Sequence, residues 1–269
     1  MSDERRQHNE RKIEIYPQPM LSIITVVFNS ERYIEKTLKS IFSQTFQDIE
    51  LVIVDGGSKD GTLDIINLYR DKIHCFISEP DKGIYDAMNK GIIASRGKYL
   101  LFLNSGDQLD HPGVLEAIFN NLNGEDVIYG ETNLIDLDDK VVGTRSQLTT
   151  RKLPKNLTWR ELQKGMVVCH QSYIVKKSIA PFYNVEYRCS ADIDWMIESL
   201  KKSKSIKKTE FPISKYLIGG FSGQNMRKCW IERFQIMVCH YGFISTFFSH
   251  LVIILRSLLF SLSRGGVRA

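Results

Sequence analysis

Four places in the first 110 residues put an acid or an amide directly after a short apolar run. Asn29 follows Leu21–Phe28, Asp55 follows Ile49–Val54, Asp81 of Glu79-Pro-Asp81 follows His74–Ser78, and Asn104 and Asp107 follow Lys98–Leu103. One such residue is ordinarily a turn former, because Asn and Asp side chains bond their own backbone. Four at the ends of successive strands share one rim of a sheet, where open α/β folds bind ligands. Carboxylates and amides there suit Mg²⁺ or Mn²⁺, which prefer hard oxygen ligands. The common glycine cradles for phosphate fail. Gly56 and Gly61 have P-loop spacing, but Thr62 stands where its Lys must be, and the first strand leads into Asn-Ser-Glu-Arg rather than G-x-G-x-x-G. A nucleotide bound here is held by side chains and a cation.

The elements that position these residues are legible in the hydrophobic pattern. Leu21–Phe28 and Ile49–Val54 are continuous apolar, β-branched runs, as in strands buried on both faces. Asn29 and Ser30 offer N-caps to a helix with Tyr33, Ile34, Leu38, Ile41 and Phe42 on one side. Further helices are predicted at Thr62–Arg70 and Gly83–Ala94, with strands at His74–Ser78 and Lys98–Leu103. This alternation predicts βαβ units and a mostly parallel, Rossmann-like sheet flanked by helices. After Asn104 the rhythm breaks: a helix near Pro112–Asn121, a strand at Asp126–Gly130, then a hairpin across Asp138–Lys140. No internal repeat and no Pro- or Gly-rich linker interrupts residues 20 to about 225, which read as one α/β domain.

The chain has 269 residues, 43% hydrophobic and 25% charged, which excludes wholesale disorder, collagen, coiled coil and a polytopic membrane protein. Its charge is unevenly placed: residues 201–269 carry twelve Lys and Arg against Glu210 and Glu232 alone, so the first 200 residues are net acidic. No stacking motif or recognition helix accompanies the basic residues, which argues against nucleic acid and for an anionic membrane surface. Five scattered cysteines without C-x-x-C spacing indicate a reduced, cytoplasmic protein rather than a disulfide framework or zinc site. Residues 1–19 are a charged arm with no apolar core, expected to be disordered and not a signal peptide. Residues 226–269 form a basic helical tail. Between Arg233 and Arg256 no Asp, Glu, Lys or Arg occurs. Phe243, Ile244, Phe247, Phe248, Leu251, Ile254, Leu255, Leu258 and Leu259 recur every three or four positions, with Ser245, Thr246, Ser249, His250 and Arg256 opposite. This amphipathicity favours a helix lying in the membrane interface over a spanning helix; a helix packed on the protein's own core is the plain alternative.

The motifs in order resemble a known family. Ser-Ile-Ile-Thr-Val-Val-Phe-Asn29, Val-Asp55-Gly-Gly-Ser-Lys-Asp-Gly-Thr62, Ser-Glu-Pro-Asp81-Lys-Gly-Ile-Tyr-Asp86-Ala-Met-Asn89-Lys-Gly91 and Phe-Leu-Asn104-Ser-Gly-Asp107 are together similar to the family 2 glycosyltransferases, and most similar to the bacterial enzymes of colanic-acid, O-antigen and capsule assembly. The resemblance implies the GT-A fold over about residues 20–225, with a C-terminal helical extension. It places Asp55 on the base and ribose of a nucleoside-diphosphate sugar, with Asn29, Asp81, Asn89 and Asn104 as further donor contacts and Asp86 beside them. Asp107 matches the last acid of the family's Asp-x-Asp-Asp metal motif, here thinned to Asn-Ser-Gly-Asp, so a divalent cation, Mn²⁺ or Mg²⁺, has one firm carboxylate ligand.

In Cys189-Ser-Ala-Asp192-Ile-Asp194-Trp195, at a helix start, Asp192 matches the catalytic base; Asp194 competes, but two residues on a helix face different sides, and either acid also serves the helix dipole. His170 and Gln171 are candidate sugar or acceptor contacts, although a lone His is more often structural. Gly219–Gly223 reads as a mobile loop. Arg227 is a candidate diphosphate contact. The expected activity is inverting transfer of a hexose to a hydroxyl of a lipid-linked saccharide at the inner face of the cell membrane. The alternatives are a catalytically inactive nucleotide-sugar binding module and a sugar-nucleotidyltransferase, whose Gly-rich, Arg- and Lys-bearing signature after the first strand is missing.

Overall fold

The computed structural model describes residues 18–219 and 226–263. Residues 1–17 of the polar arm, Gly220–Gly223 of the glycine loop, Gln224 and the last residues of the tail lie outside the described residues.

The continuous apolar runs become the centre of a nine-stranded sheet. Strands β1 (Leu21–Val27), β2 (Ile49–Asp55), β3 (Cys75–Ser78) and β4 (Tyr99–Phe102) are all parallel, in the order β3-β2-β1-β4. All seven residues of β1 are buried because helices cover both faces. Ile24 and Val26 enter one core with Val54, Phe102, Trp195 and Ile236, while Leu21, Ile23 and Val27 enter the other with Leu38, Leu51 and Leu101. Helices α1 (Ile34–Phe42), α2 (Thr62–Leu68) and α3 (Ile84–Ala94) make the crossovers.

Beyond β4 the sheet becomes mixed. After β5 (Gln108–Leu109) and α4 (Val114–Phe119), the nine-residue β6 (Val127–Ile135) turns through a hairpin into β7 (Val141–Thr144), with Asp139 at φ 62° in the turn. Two short helices, α5 (Arg145–Leu148) and α6 (Trp159–Leu162), precede β8 (Tyr173–Lys176), which lies antiparallel between β4 and β6. Helix α7 (Ala191–Lys202) leads to β9 (Ile206–Leu217), parallel to β6. The β9 strand contains Pro212, a residue that sheets admit at bulges, and the register slips at that point.

Two helices close the described chain, α8 (Met226–Tyr241) and α9 (Phe243–Ser263), joined at Gly242 with φ 80°. Helix α8 begins where the sequence sets its tail, yet it docks on the sheet domain. Ile236 and Met237 are buried, and the Tyr241 ring stacks on Trp159. Helix α9 lies against this assembly by its polar side: Thr246 and His250 are buried, Gln163 bonds Ser245, and Arg256 reaches the Lys164 carbonyl. The apolar side, Phe243 to Leu262, is exposed.

One local expectation is corrected. Asn29 and Ser30 do not cap α1: Tyr33 occupies the N-cap with no side-chain bond, and the first turn is closed by the Ser30 carbonyl. Asn29, at φ 46°, bends away to a neighbouring loop.

Candidate functional site

The loops after β1 and β2 are tied together. Asn29 Oδ1 accepts the Lys59 amide at 2.8 Å, and the Asn29 amide donates to Ser58 Oγ at 2.8 Å. Glu31 accepts the Gly61 amide and Asp60 accepts the Glu31 amide. Asp55 is fully buried, and its two oxygens accept from the Gly57 and Ser58 amides, Ser58 Oγ and Ser78 Oγ. Its carboxylate is thus occupied in shaping the Gly56–Lys59 loop, which is the surface it offers. Asp81 fits against that loop: Oδ1 accepts the Gly83 amide, and a Cβ on Gly56 would collide with Oδ2. Beside them Phe28 is 59% exposed, a ring free for stacking at the end of β1. It went unremarked in the sequence, where it reads as the last residue of a buried strand.

The turn after β4 gathers oxygens. Asp107 closes it through its amide to the Asn104 carbonyl, and Thr37 of α1 pins it, accepting the Gly106 amide and donating to the Asp107 carbonyl at 2.8 Å. Asp107 is buried, accepting from Gln171 Nε2 at 2.7 Å and the Leu217 amide at 3.2 Å. Burial with no cation beside it pushes its carboxyl up to about 7. Asn104 Oδ1 and Ser105 Oγ are buried without a hydrogen-bond partner among the described residues, which is rare for polar atoms out of water. A buried carboxylate and two orphaned oxygens on one turn fit a hard divalent cation. No three His, Cys, Asp or Glu side chains cluster as a metal cage among the described residues. Mg²⁺ commonly relies on one or two carboxylates plus substrate phosphates.

Asp192 lies in the first turn of α7, where Tyr85 of α3 donates to Oδ1 at 3.4 Å and the Ile193 amide at 3.0 Å. Burial raises its carboxyl to about 6, against the pull of those two donors and of nearby Arg233. That value suits a base working near neutrality. Arg188, just before α7, bonds the Lys82 carbonyl next to Asp81, tying the start of α7 to the loop after β3. Tyr216 of β9, beside the Leu217 amide that Asp107 accepts, is pushed up to about 12, chiefly by burial and further by the charges of Asp107, Cys169 and Asp192.

Several expectations are corrected by their contacts. Asp194 turns to α8, with His240 Nε2 2.6 Å from its Oδ1, so it links two helices and leaves Asp192 alone at the site. Asn89 bonds the Tyr183 backbone through both amide ends, at 2.9 and 2.8 Å, so it ties α3 to the segment around Tyr183. Asp86 accepts the Lys82 amide and pairs with Lys90, a helix-start role. His170 is buried among Phe102, Tyr183 and Trp195, bonded to Tyr183 Oη at 2.7 Å. Burial lowers its pKa to about 3 and keeps it neutral, so it is a core residue. Gln171 meets the site at Asp107, to which its Nε2 donates. Arg227 is exposed on the first turn of α8.

The residue most completely missed is Glu232 of α8. Its carboxylate accepts three successive amides, Arg188, Cys189 and Ser190, at 2.8, 2.7 and 3.1 Å, and so fixes the segment that launches α7 and Asp192. No local pattern signals a contact made 42 to 44 residues away. Glu232→Ala leaves those amides without their acceptor. It should cost about 3 kcal/mol, a fall of roughly 6–12 °C in Tm by calorimetry. An unchanged Tm would show that the segment is held by other means.

Three comparisons bear on this arrangement. The description "Glycosyl transferase family 2" matches residues 22–181. A PGL/p-HBAD biosynthesis glycosyltransferase of Mycobacterium bovis is 33% identical over 189 residues, 66% of this chain and 69% of that protein. Among solved structures, Staphylococcus aureus TarS 1-349 in complex with UDP-GlcNAc superposes with a TM-score of 0.64 at 18% identity, over 81% of this chain and 65% of that one; against a longer TarS chain the share is 39%. The mannosyltransferase PcManGT of Pyrobaculum calidifontis, in complex with GDP-Man and Mn²⁺, gives 0.61 at 11% identity, over 94% and 77%.

Proposed function

This chain belongs to glycosyl transferase family 2 and has the GT-A fold, and from that premise we propose that it transfers a hexose, with inversion, from a nucleoside-diphosphate sugar to a hydroxyl of a lipid-linked saccharide in surface-polysaccharide assembly. The observation that carries this reading is Asp192: the one carboxylate in the first turn of α7 that is not bonded to α8, met by Tyr85 Oη and raised to about 6 by burial.

In this mechanism Asp192 takes the proton of the acceptor hydroxyl as its oxygen bonds to the anomeric carbon. The bond from that carbon to the diphosphate breaks on the opposite face, and the nucleoside diphosphate leaves. Asp107, Asn104 and Ser105 would hold a divalent cation, Mn²⁺ or Mg²⁺, which neutralises charge on the leaving diphosphate. Phe28 and the loop shaped by Asp55 receive the base and ribose. Two solved relatives of the fold hold UDP-GlcNAc and GDP-Man with Mn²⁺, which supports a nucleotide-sugar donor for this chain. The exposed apolar side of α9 supports a peripheral position on the inner face of the cell membrane, close to a lipid-linked acceptor.

The test is thermal unfolding of the purified chain with UDP-, GDP- and dTDP-hexoses, with and without Mn²⁺, followed by transfer to a saccharide on a lipid aglycone. One donor at about 100 times its Kd should stabilise the protein by about 2.7 kcal/mol, more with Mn²⁺ present, and be consumed with acceptor. Donor binding without turnover on any acceptor would favour a binding module instead.

A further inference from the structure

Arg233 is the next residue on α8 after Glu232 and faces the interior. Its Nε and Nη2 are out of water with no hydrogen-bond partner among the described residues. Two other arginines lie in the same region, and both are satisfied. Arg145 donates to the carbonyls of Arg151, Met166 and Val167, and Arg151 to Glu161 and to the Glu161 and Gly165 carbonyls. Gly165, at φ 116°, lies against Arg233 Nη2 and carries no side chain that could bond it. The nearby Arg145 adds charge of the same sign, and the attraction Arg233 feels comes from Asp192. A buried guanidinium whose Nε and Nη2 have no bonded acceptor among the described residues is a costly arrangement unless an anion completes it. Guanidinium is also the group best shaped to bind oxyanions in a bidentate manner.

We propose that Arg233 is the receptor for an oxyanion, phosphoryl or carboxylate, carried by the acceptor. The side of the site decides between donor and acceptor. In an inverting displacement the base and the leaving diphosphate stand on opposite faces of the anomeric carbon. Helix α8 packs on the start of α7, where Ser190 donates to the Cys229 carbonyl and Glu232 holds the amides of Arg188, Cys189 and Ser190. Arg233 lies one turn from Cys229 on the same face of α8, toward the end of α7 that carries Asp192. It also stands on the helix that continues through Gly242 into α9, the element with the exposed apolar side. The inference rests on the inverting transfer proposed above.

The experiment uses the full chain and three acceptors built on one saccharide: a neutral alkyl glycoside, the corresponding glycosyl phosphate ester and a uronate analogue. The wild-type protein should show a KM about 10–100-fold lower for one charged acceptor than for the neutral one, and the better of the two charged forms identifies the oxyanion. Arg233→Gln should bring charged and neutral acceptors to similar KM, with Arg233→Lys intermediate. Independently of any variant, butyl phosphate should inhibit the wild-type enzyme competitively against the charged acceptor and not against the sugar nucleotide. Equal KM for all three acceptors in the wild type would overturn the assignment while leaving the transfer reaction intact. So would competition of butyl phosphate with the donor. Donor binding with no transfer to any acceptor would overturn both.

Discussion

Asp192→Asn should lower kcat about 10²–10⁴-fold, the usual contribution of a general base, and leave donor affinity within about a factor of two. The amide keeps the size of the carboxylate and can still accept from Tyr85 and the Ile193 amide, so the loss falls on proton removal rather than on the fold. The pH profile supplies a second reading. In the proposed mechanism Asp192 serves as base only when ionised, and burial raises its carboxyl to about 6, so wild-type kcat should fall about tenfold per pH unit below that value and level off above it. The contrasting variant is Asp194→Asn, which disturbs only the link to His240; it should lower stability and keep kcat within about tenfold. Full activity of Asp192→Asn on a purified acceptor would remove the base from the mechanism.

The triple substitution Phe247→Ser, Leu251→Ser and Leu255→Ser should weaken binding to anionic vesicles about 10²–10³-fold in sedimentation assays. These side chains are 47%, 48% and 59% exposed, and each stands to lose about 1–1.5 kcal/mol of interfacial burial, a partial share of full side-chain burial. Tm should change little, because the inward side of α9 is the Thr246, His250 and Arg256 side, which the substitutions leave intact. Helix α9 is the one described helix long and apolar enough to cross a membrane; its polar bonds to Gln163 and Lys164 favour a position alongside the protein. If the wild-type chain ignores vesicles and the triple variant instead breaks an oligomer, the apolar side is a contact between copies and the membrane assignment falls.

The strand-end residues were legible because β1, β2 and β4 are buried on both faces, and such strands show as unbroken apolar runs whose ends stand out. Asp107 was reached in this way, and so was the turn that holds Asn104. What the strand pattern could not show is how each polar atom is occupied. Asp55 and Asn89 sit on segments that line the site, yet Asp55 is filled by the donors of its own loop and Ser78, and Asn89 is bonded to the Tyr183 backbone. Asp192 and Asp194 were two candidates on one helix, and the partner that separates them, His240, lies 46 residues from Asp194. His170 carried a usable signal: Val167 and Val168 before it and Tyr173–Val175 after it are buried, and a histidine between such residues tends to be core. Strand β9 was hidden by Pro212, and with it Tyr216. Helix α8 was expected as the start of a basic helical tail, but its composition gave no sign that it docks on the domain and holds the amides before α7 through Glu232.

The most direct measurement is the anomeric configuration of the glycoside formed by the wild-type chain, read from the H1 chemical shift and the C1–H1 coupling constant of the newly transferred sugar by NMR. A single carboxylate acting on the acceptor opposite the leaving diphosphate predicts inversion relative to the sugar nucleotide. Retention of configuration would require attack from the same face as the departing diphosphate, and would contradict the role given to Asp192.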